Sequence, residues 1–228
     1  MRTIAENLRE VQDRIAWAAE RSGRRAEEIR LVAVSKTQPV EAIREALAAG
    51  VREIGENYVQ EAEGKLPALA GEPVLRHYIG HLQKNKAGKA VALFDLVQTV
   101  DSAELAQALG RRALGVGKVL DVLIEVNISG EASKFGVAPE RAVDLAAEVA
   151  AVPGIRLQGL MGIGPLAPEE DAAERNSFRL LASLYERLPP EHRQVLSMGM
   201  TGDFETAIAE GSTMLRIGTG IFGARRSS

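Results

Sequence analysis

The residue best placed to do covalent chemistry is Lys36, in Leu31-Val32-Ala33-Val34-Ser35-Lys36-Thr37-Gln38-Pro39. Four successive apolar residues read as a strand buried on both faces, and Pro39 pre-sets the first turn of a helix, which leaves Lys36 at the strand's end. α/β folds gather reactive groups at the carboxyl ends of their strands, and a desolvated lysine amine there forms Schiff bases with carbonyl compounds. A plain rim lysine fits the same pattern, since lysine is seldom fully buried without a partner. The competing amine is Lys134, whose neighbours Glu131, Ser133 and Gly136 read as a solvated loop.

An anion site is suggested near the other end of the chain. Ser197-Met198-Gly199 and Gly218-Thr219-Gly220 each offer a hydroxyl and unhindered backbone N–H groups, the equipment for holding a phosphate. Gly218 to Gly223 also spells G-x-G-x-x-G, but that dinucleotide fingerprint opens a βαβ unit of about 30 residues, and only Ala224 to Ser228 follow. A glycine-rich turn that merely ends the last strand unit is the bland alternative. In Met214-Leu215-Arg216-Ile217 the guanidinium needs an acceptor if it points inward, and a bound ligand would provide one. His77 and His81 have the spacing of metal ligands on a helix, yet Tyr78-Ile79 reads as strand, so their rings would not share a helical face and no metal site is expected. Lys84, Lys86 and Lys89 read as the solvated face of a helix.

The elements that must position these groups alternate along the whole chain. Thr3 and Glu6 have capping-box spacing ahead of an amphipathic helix on Ile4, Leu8, Val11, Ile15 and Ala18. Strands are then expected at 31–34, 51–54, 75–80, 94–100, 119–127, 155–163, 194–199 and 213–217. Helices are expected between them, among them a basic one over Gln83 to Ala92, one capped by Asp101 with Glu104, and a long one started by Pro168. Alternation of this kind means right-handed crossovers and a parallel sheet, and eight units suggest closure into a (β/α)8 barrel over residues 1–228 as one domain. A doubly wound open sheet is the alternative, but it would concentrate polar strand ends at one switch point, whereas here nearly every unit has one. A barrel would bring Lys36, Asn57, His81, Thr99, Asn127, Met161, Ser197, Arg216, Gly218 and Thr219 to a single face.

Composition narrows the function classes. A net charge of −3 argues against a general nucleic-acid or membrane binder, which needs a basic surface. Zero cysteines exclude disulfides, thiolate metal sites and a cysteine nucleophile, and fit a cytoplasmic setting. Neither a signal peptide nor an apolar run of about 18 residues is present.

Five stretches taken together resemble one family: Ala33-Val34-Ser35-Lys36-Thr37, Gly55 to Glu61, His77 to Lys86, Leu196 to Asp203, and Arg216-Ile217-Gly218-Thr219. They occur in order over essentially the whole chain and resemble the pyridoxal phosphate homeostasis proteins, a family similar to the barrel domain of bacterial alanine racemase. The resemblance implies a barrel that holds pyridoxal 5′-phosphate (PLP) as an aldimine on Lys36. Ser197, Gly218 and Thr219 would bind the phosphate, Asn57 would lie near the ring and Arg216 near the pyridine nitrogen. An arginine there does not share the ring proton, so the cofactor would be a weak electron sink. The resemblance therefore implies a cytoplasmic PLP carrier, monomeric and without robust catalysis, that buffers the cofactor or delivers it to PLP-dependent apoenzymes. Racemases add a second domain and a partner tyrosine, and this chain ends soon after the eighth strand. A low-activity racemase, and a cofactor-free Schiff-base aldolase, are the other readings of the same lysine.

Overall fold

The computed structural model of the chain describes residues 2–131, 134–165 and 171–223. Eight parallel strands close into a barrel in chain order: β1 (Arg30–Val34), β2 (Glu53–Glu56), β3 (Leu75–Tyr78), β4 (Leu96–Val100), β5 (Leu120–Val126), β6 (Ile155–Gly162), β7 (Val195–Ser197) and β8 (Met214–Ile217). Closure is made by β8 on β1, with Arg30 opposite Met214 and Ala33 opposite Ile217. The open-sheet alternative is thereby set aside.

Helices cover the outside: α1 (Ile4–Arg21), α2 (Val40–Ala48), α3 (Val59–Lys65), α4 (Ala87–Leu93), α5 (Ala103–Gly115), α6 (Ala142–Ala150), α7 (Asp171–Glu186), α8 (Phe204–Ala209) and a short α9 (Thr219–Phe222). The expected capping box starts α1, with Thr3 accepting from the Glu6 N–H and Glu6 accepting from the Thr3 N–H. Its buried face, Leu8, Val11, Ile15 and Ala18, packs against α8 and α9. No helix among the described residues is long and apolar enough to cross a membrane.

Three boundaries differ from the sequence pattern. Strand β2 runs two residues later than Val51–Ile54, because Val51 completes the helix C-terminal turn by bonding Ala46. The basic stretch is a 3-10 turn, Lys84–Lys86, that leads into α4. Helix α5 is capped by Ser102, whose Oγ accepts from Leu105 N and donates to Asp101, so Asp101 orients the cap and does not supply it. Pro168 lies outside the described residues.

Two packing layers form because side chains alternate along each strand. Val32, Leu96, Leu123, Met161, Val195 and Met214 pack together inside the barrel, while Ala33, Ile54, Val97 and Leu196 join the larger core under the helices. A polar cluster interrupts the outer layer beside β1 and β2. Lys65 of α3 sits 2.7 Å from Glu56 and 2.8 Å from Glu61, and donates to Ser35 O at 2.8 Å. Burial pushes the Glu56 carboxyl up, and the Lys65 and Ser35 contacts pull against it. Removing one partner of a buried pair leaves the other uncompensated, at about 3–5 kcal/mol. Urea unfolding of Lys65→Met is therefore expected to show a loss of that size, and Glu56→Gln in the same chain should restore part of it. A double variant no better than the single one would rule out the buried charge as the cause.

Candidate functional site

Lys36 lies in a tight turn just beyond β1, closed by the bond from Gln38 N to Ser35 O at 3.0 Å. Thr37 has φ 63, a left-handed conformation that a β-branched residue rarely takes, and its N–H donates to Glu61. Lys65 holds the Ser35 carbonyl as Glu61 holds Thr37, so both neighbours of Lys36 are fixed from α3. Backbone strain kept in place by its surroundings is a mark of functional loops.

The strand register brings the other candidates to this lysine. Val34 pairs with Gly55, so Lys36 and Asn57, each two residues further on, leave adjacent strands side by side. Gly80 passes so close to Asn57 that an added Cβ would lie 2.0 Å from Asn57 O, and only glycine permits that approach. On the opposite flank Ile217 pairs with Ala33, and Gly218 follows against Val34, where an added Cβ would sit 3.4 Å from Val34 Cβ. Gly218 opens α9, Thr219 Oγ1 donates to Thr201 Oγ1 at 3.2 Å, and Gly220 N donates to the same oxygen at 3.3 Å. Helix α1 buttresses this loop: Asn7 donates to Ile221 O at 3.0 Å, and Val11 packs beside Gly220.

Arg216 points into the barrel, 4% exposed. Its guanidinium donates to Ser197 Oγ at 2.6 Å and to Gly162 O at 2.9 Å, and Ser197 passes its own proton toward Gln98 Oε1 at 2.7 Å. The Ser197 hydroxyl is thus turned inward at Arg216 and Gln98, and Thr201 and Thr219 are the hydroxyls that stand at the loops. Burial pulls the Arg216 pKa down to about 10, against the pull of Asp203 and Glu125, so the group stays cationic near neutral pH.

A cavity of about 430 Å3 opens beside these residues, lined by Asn57, Tyr58, His81, Lys86, Glu125 and Phe135 among others. His81 and Phe135 stack at 3.8 Å across its mouth. Glu125, on β5, is 6% exposed and its Oε2 has no hydrogen-bond partner. Burial pushes its pKa up to about 7, with Arg216 favouring the charged form and Asp101 opposing it. Sequence reading passed over Glu125 because it lies inside a strongly β-prone run. It passed over Phe135 because a lone aromatic in a polar loop carries no pattern.

Three other residues expected on this face, and the competing amine Lys134, have structural work. Thr99 donates to Gly80 O at 2.7 Å, and Met161 packs in the inner layer. Asn127 ties its loop through Glu131 O and Lys134 O. Lys134 differs from the expected solvated lysine: its side chain is 15% exposed, paired to Glu131 at 2.8 Å and bonded to Gly164 O at 2.9 Å. No group of His, Asp and Glu able to hold a metal ion occurs among the described residues.

Residues 6–226 match the profile of the alanine racemase N-terminal domain. Over 99% of its length the chain is 47% identical to a Pseudomonas aeruginosa protein named pyridoxal phosphate homeostasis protein, covering 97% of that protein. The Escherichia coli K12 protein of the same name is 46% identical, over 99% of this chain and 98% of its own. The chain belongs to the pyridoxal phosphate homeostasis protein family. Among solved structures, PipY of Synechococcus elongatus PCC7942 with PLP bound is 36% identical, superposes with a TM-score of 0.81, and is covered 100% by 97% of this chain. The match to PipY extends over essentially the whole barrel.

The orphaned carboxylate gives this site a pH signature. Glu125 holds its proton up to about pH 7 in the folded chain against an ordinary 4.5, so the folded state binds more protons in that window and stability falls as pH rises through it. In cofactor-free protein, Glu125→Gln is expected to raise unfolding stability at pH 8 by on the order of 1–3 kcal/mol. Most of that gain should vanish by pH 5; urea unfolding at the two pH values checks it, and a gain independent of pH would assign it to packing.

Proposed function

We propose that this protein binds PLP at the barrel mouth, retains it through Lys36, and works in PLP homeostasis as a carrier that buffers or delivers the cofactor. The observation that carries the reading is the side-by-side placement of Lys36 after β1 and Gly218-Thr219 after β8, in a chain of this family. The relatives' name and the PLP-bound PipY structure support the same cofactor.

The donor set suits that ligand. PLP presents phosphate oxygens, a phenolic oxygen and a ring nitrogen, all acceptors once the nitrogen is unprotonated, and the mouth presents an amine, hydroxyls and a guanidinium, which are donors. When bound, the cofactor supplies an electrophilic aldehyde carbon. Lys36 provides the amine for it, on a turn that Lys65 and Glu61 keep from shifting. Gly218, Thr219 and Thr201 hold the phosphate with hydroxyls and backbone N–H groups. Ser197 supports this end of the site by fixing Arg216, and Asn57 borders the ring. Arg216 is a donor only, so it cannot take up the proton of a pyridinium and leaves the ring a weak electron sink. That disfavours carbanion chemistry and favours holding over turnover.

The same reading makes residues 1–228 a single domain, a cytoplasmic monomer whose partners are PLP and PLP-dependent apoenzymes, with neither nucleic acid nor membrane among them. Its low negative charge and its relatives' naming support this.

Purified protein incubated with PLP is expected to develop a visible absorbance band beyond that of free cofactor, retained through gel filtration. Lys36→Ala should lose the band. Thr219→Val should keep the band but release cofactor at least severalfold faster. A band that survives Lys36→Ala would reassign the attachment to another amine.

A further inference from the structure

We infer that Gln98, together with His77, is a positioning residue for the cofactor: the direction of its hydrogen bonds sets the Ser197 hydroxyl, and that hydroxyl sets the donors that Arg216 offers to the ring. The inference rests on the PLP reading, in which Arg216 meets the ring nitrogen.

Arg216 is held at two separate nitrogens. Its Nη1 donates to Ser197 Oγ at 2.6 Å and its Nη2 to Gly162 O at 2.9 Å. A planar fork pinned at two nitrogens cannot turn about its own axis, so these bonds decide where its remaining N–H groups point. Gly162 O belongs to the backbone of β6 and does not rotate. Ser197 Oγ does, and its setting depends on where its own proton goes.

That proton goes to Gln98 Oε1 at 2.7 Å. Arginine is a donor only, so the Ser197 oxygen accepts from it and the hydroxyl donates onward. The Gln98 amide oxygen is therefore turned to Ser197, and its NH2 group faces His77 Nδ1 at 3.0 Å and Met214 Sδ at 3.2 Å. Reversing the amide would aim an N–H at an oxygen that already accepts from Arg216, and would take from the hydroxyl proton the acceptor it has. His77 Nδ1 is then an acceptor and the ring carries its proton on Nε2. That nitrogen lies 3.2 Å from Glu53 Oε2, close enough for attraction although not aligned as a hydrogen bond.

His77, Gln98 and Ser197 are each at most 1% exposed, so bulk solvent offers none of them another partner. Direction thus passes from a donor-only guanidinium to a carboxylate that Arg30 holds with two bonds. Gln98 is the link that must accept on one side and donate on the other, which an amide does and an apolar side chain of equal length does not.

The test uses Gln98→Met, Gln98→Glu, Ser197→Ala and the Gln98→Met/Ser197→Ala double variant of the full chain, loaded with PLP, with the visible band and the rate of cofactor release on dilution as readouts. Gln98→Met is expected to release PLP about fivefold faster, the effect of one neutral hydrogen bond. It should also shift the band, which reports the electron pull at the ring nitrogen and which a mere loss of stability leaves in place. Ser197→Ala should do the same, and the double variant no more than either single one, because both act through one bond to Arg216. Gln98→Glu keeps an acceptor for Ser197, so it should retain the wild-type band and release PLP within about twofold of the wild-type rate. In cofactor-free wild-type protein at pH 8, NMR of 15N-labelled histidine should show the His77 proton on Nε2. A proton on Nδ1, additive effects in the double variant, or an unchanged band and release rate in Gln98→Met would each overturn the inference. Should Gln98→Met misfold, Gln98→Glu decides beside Ser197→Ala, and equally fast release from both would overturn it. A wild-type protein without a visible band would sink the PLP reading and this inference with it; a wild-type band accompanied by any of the adverse results sinks the inference alone.

Discussion

The pairing of β8 with β1 is the constraint on which the rest of this molecule depends. Those two strands are separated by nearly the whole chain, and only their hydrogen bonds bring the turn at Lys36 beside the loop at Gly218. An open sheet of the same strands would leave the amine and the glycine loop at opposite edges. Closure also removes both sheet edges, so every strand has a neighbour on each side. Helix α1 then braces the junction from outside through α8 and α9, which explains why a helix ahead of the first strand belongs to the fold and is not an appendage.

Closure creates a second requirement, that polar groups inside the barrel satisfy one another. A run of polar contacts crossing the interior meets it in part, with His77 Nε2 and Glu125 Oε2 left without a hydrogen bond. Arg30 binds Glu53 with two bonds of 2.8 and 3.0 Å, Glu53 lies 3.2 Å from His77, and His77 Nδ1 lies 3.0 Å from Gln98 Nε2. Gln98 accepts from Ser197, and Ser197 accepts from Arg216. Burial acts to raise Glu53, but His77 and Arg30 outweigh it and hold the carboxyl below its ordinary value. The run joins residues of six strands and ends on a guanidinium 4% exposed, which is thereby held in one orientation. Glu125 is outside this run, and its Oε2 has no hydrogen-bond partner.

Much of this was legible in the sequence. Alternating apolar runs gave eight strands in the right order, the Thr3–Glu6 spacing gave the first cap, and the lysine after Leu31–Val34 gave the position on which the cofactor reading rests. The misplaced boundaries were local: Val51 serves a helix end, and Ser102 outcompetes Asp101 as a cap because its hydroxyl reaches the Leu105 N–H. Lys134 was misjudged because its polar neighbours say nothing about the Gly164 carbonyl that its amine reaches across the loop.

Periodicity, turn chemistry and residue type act over a few positions, and so the sequence by itself determined the elements, their alternation, the candidate amine and the family to which the chain belongs. Which side chains face one another was decided by the tertiary structure alone. Barrel closure and strand register fix those distances, and they set Ser197 on Arg216 rather than at the loops, turned Lys86 toward a cavity, and left Glu125 buried without a donor. Contacts between residues a hundred positions apart depend on shear and closure of the whole sheet, and no local spacing encodes them.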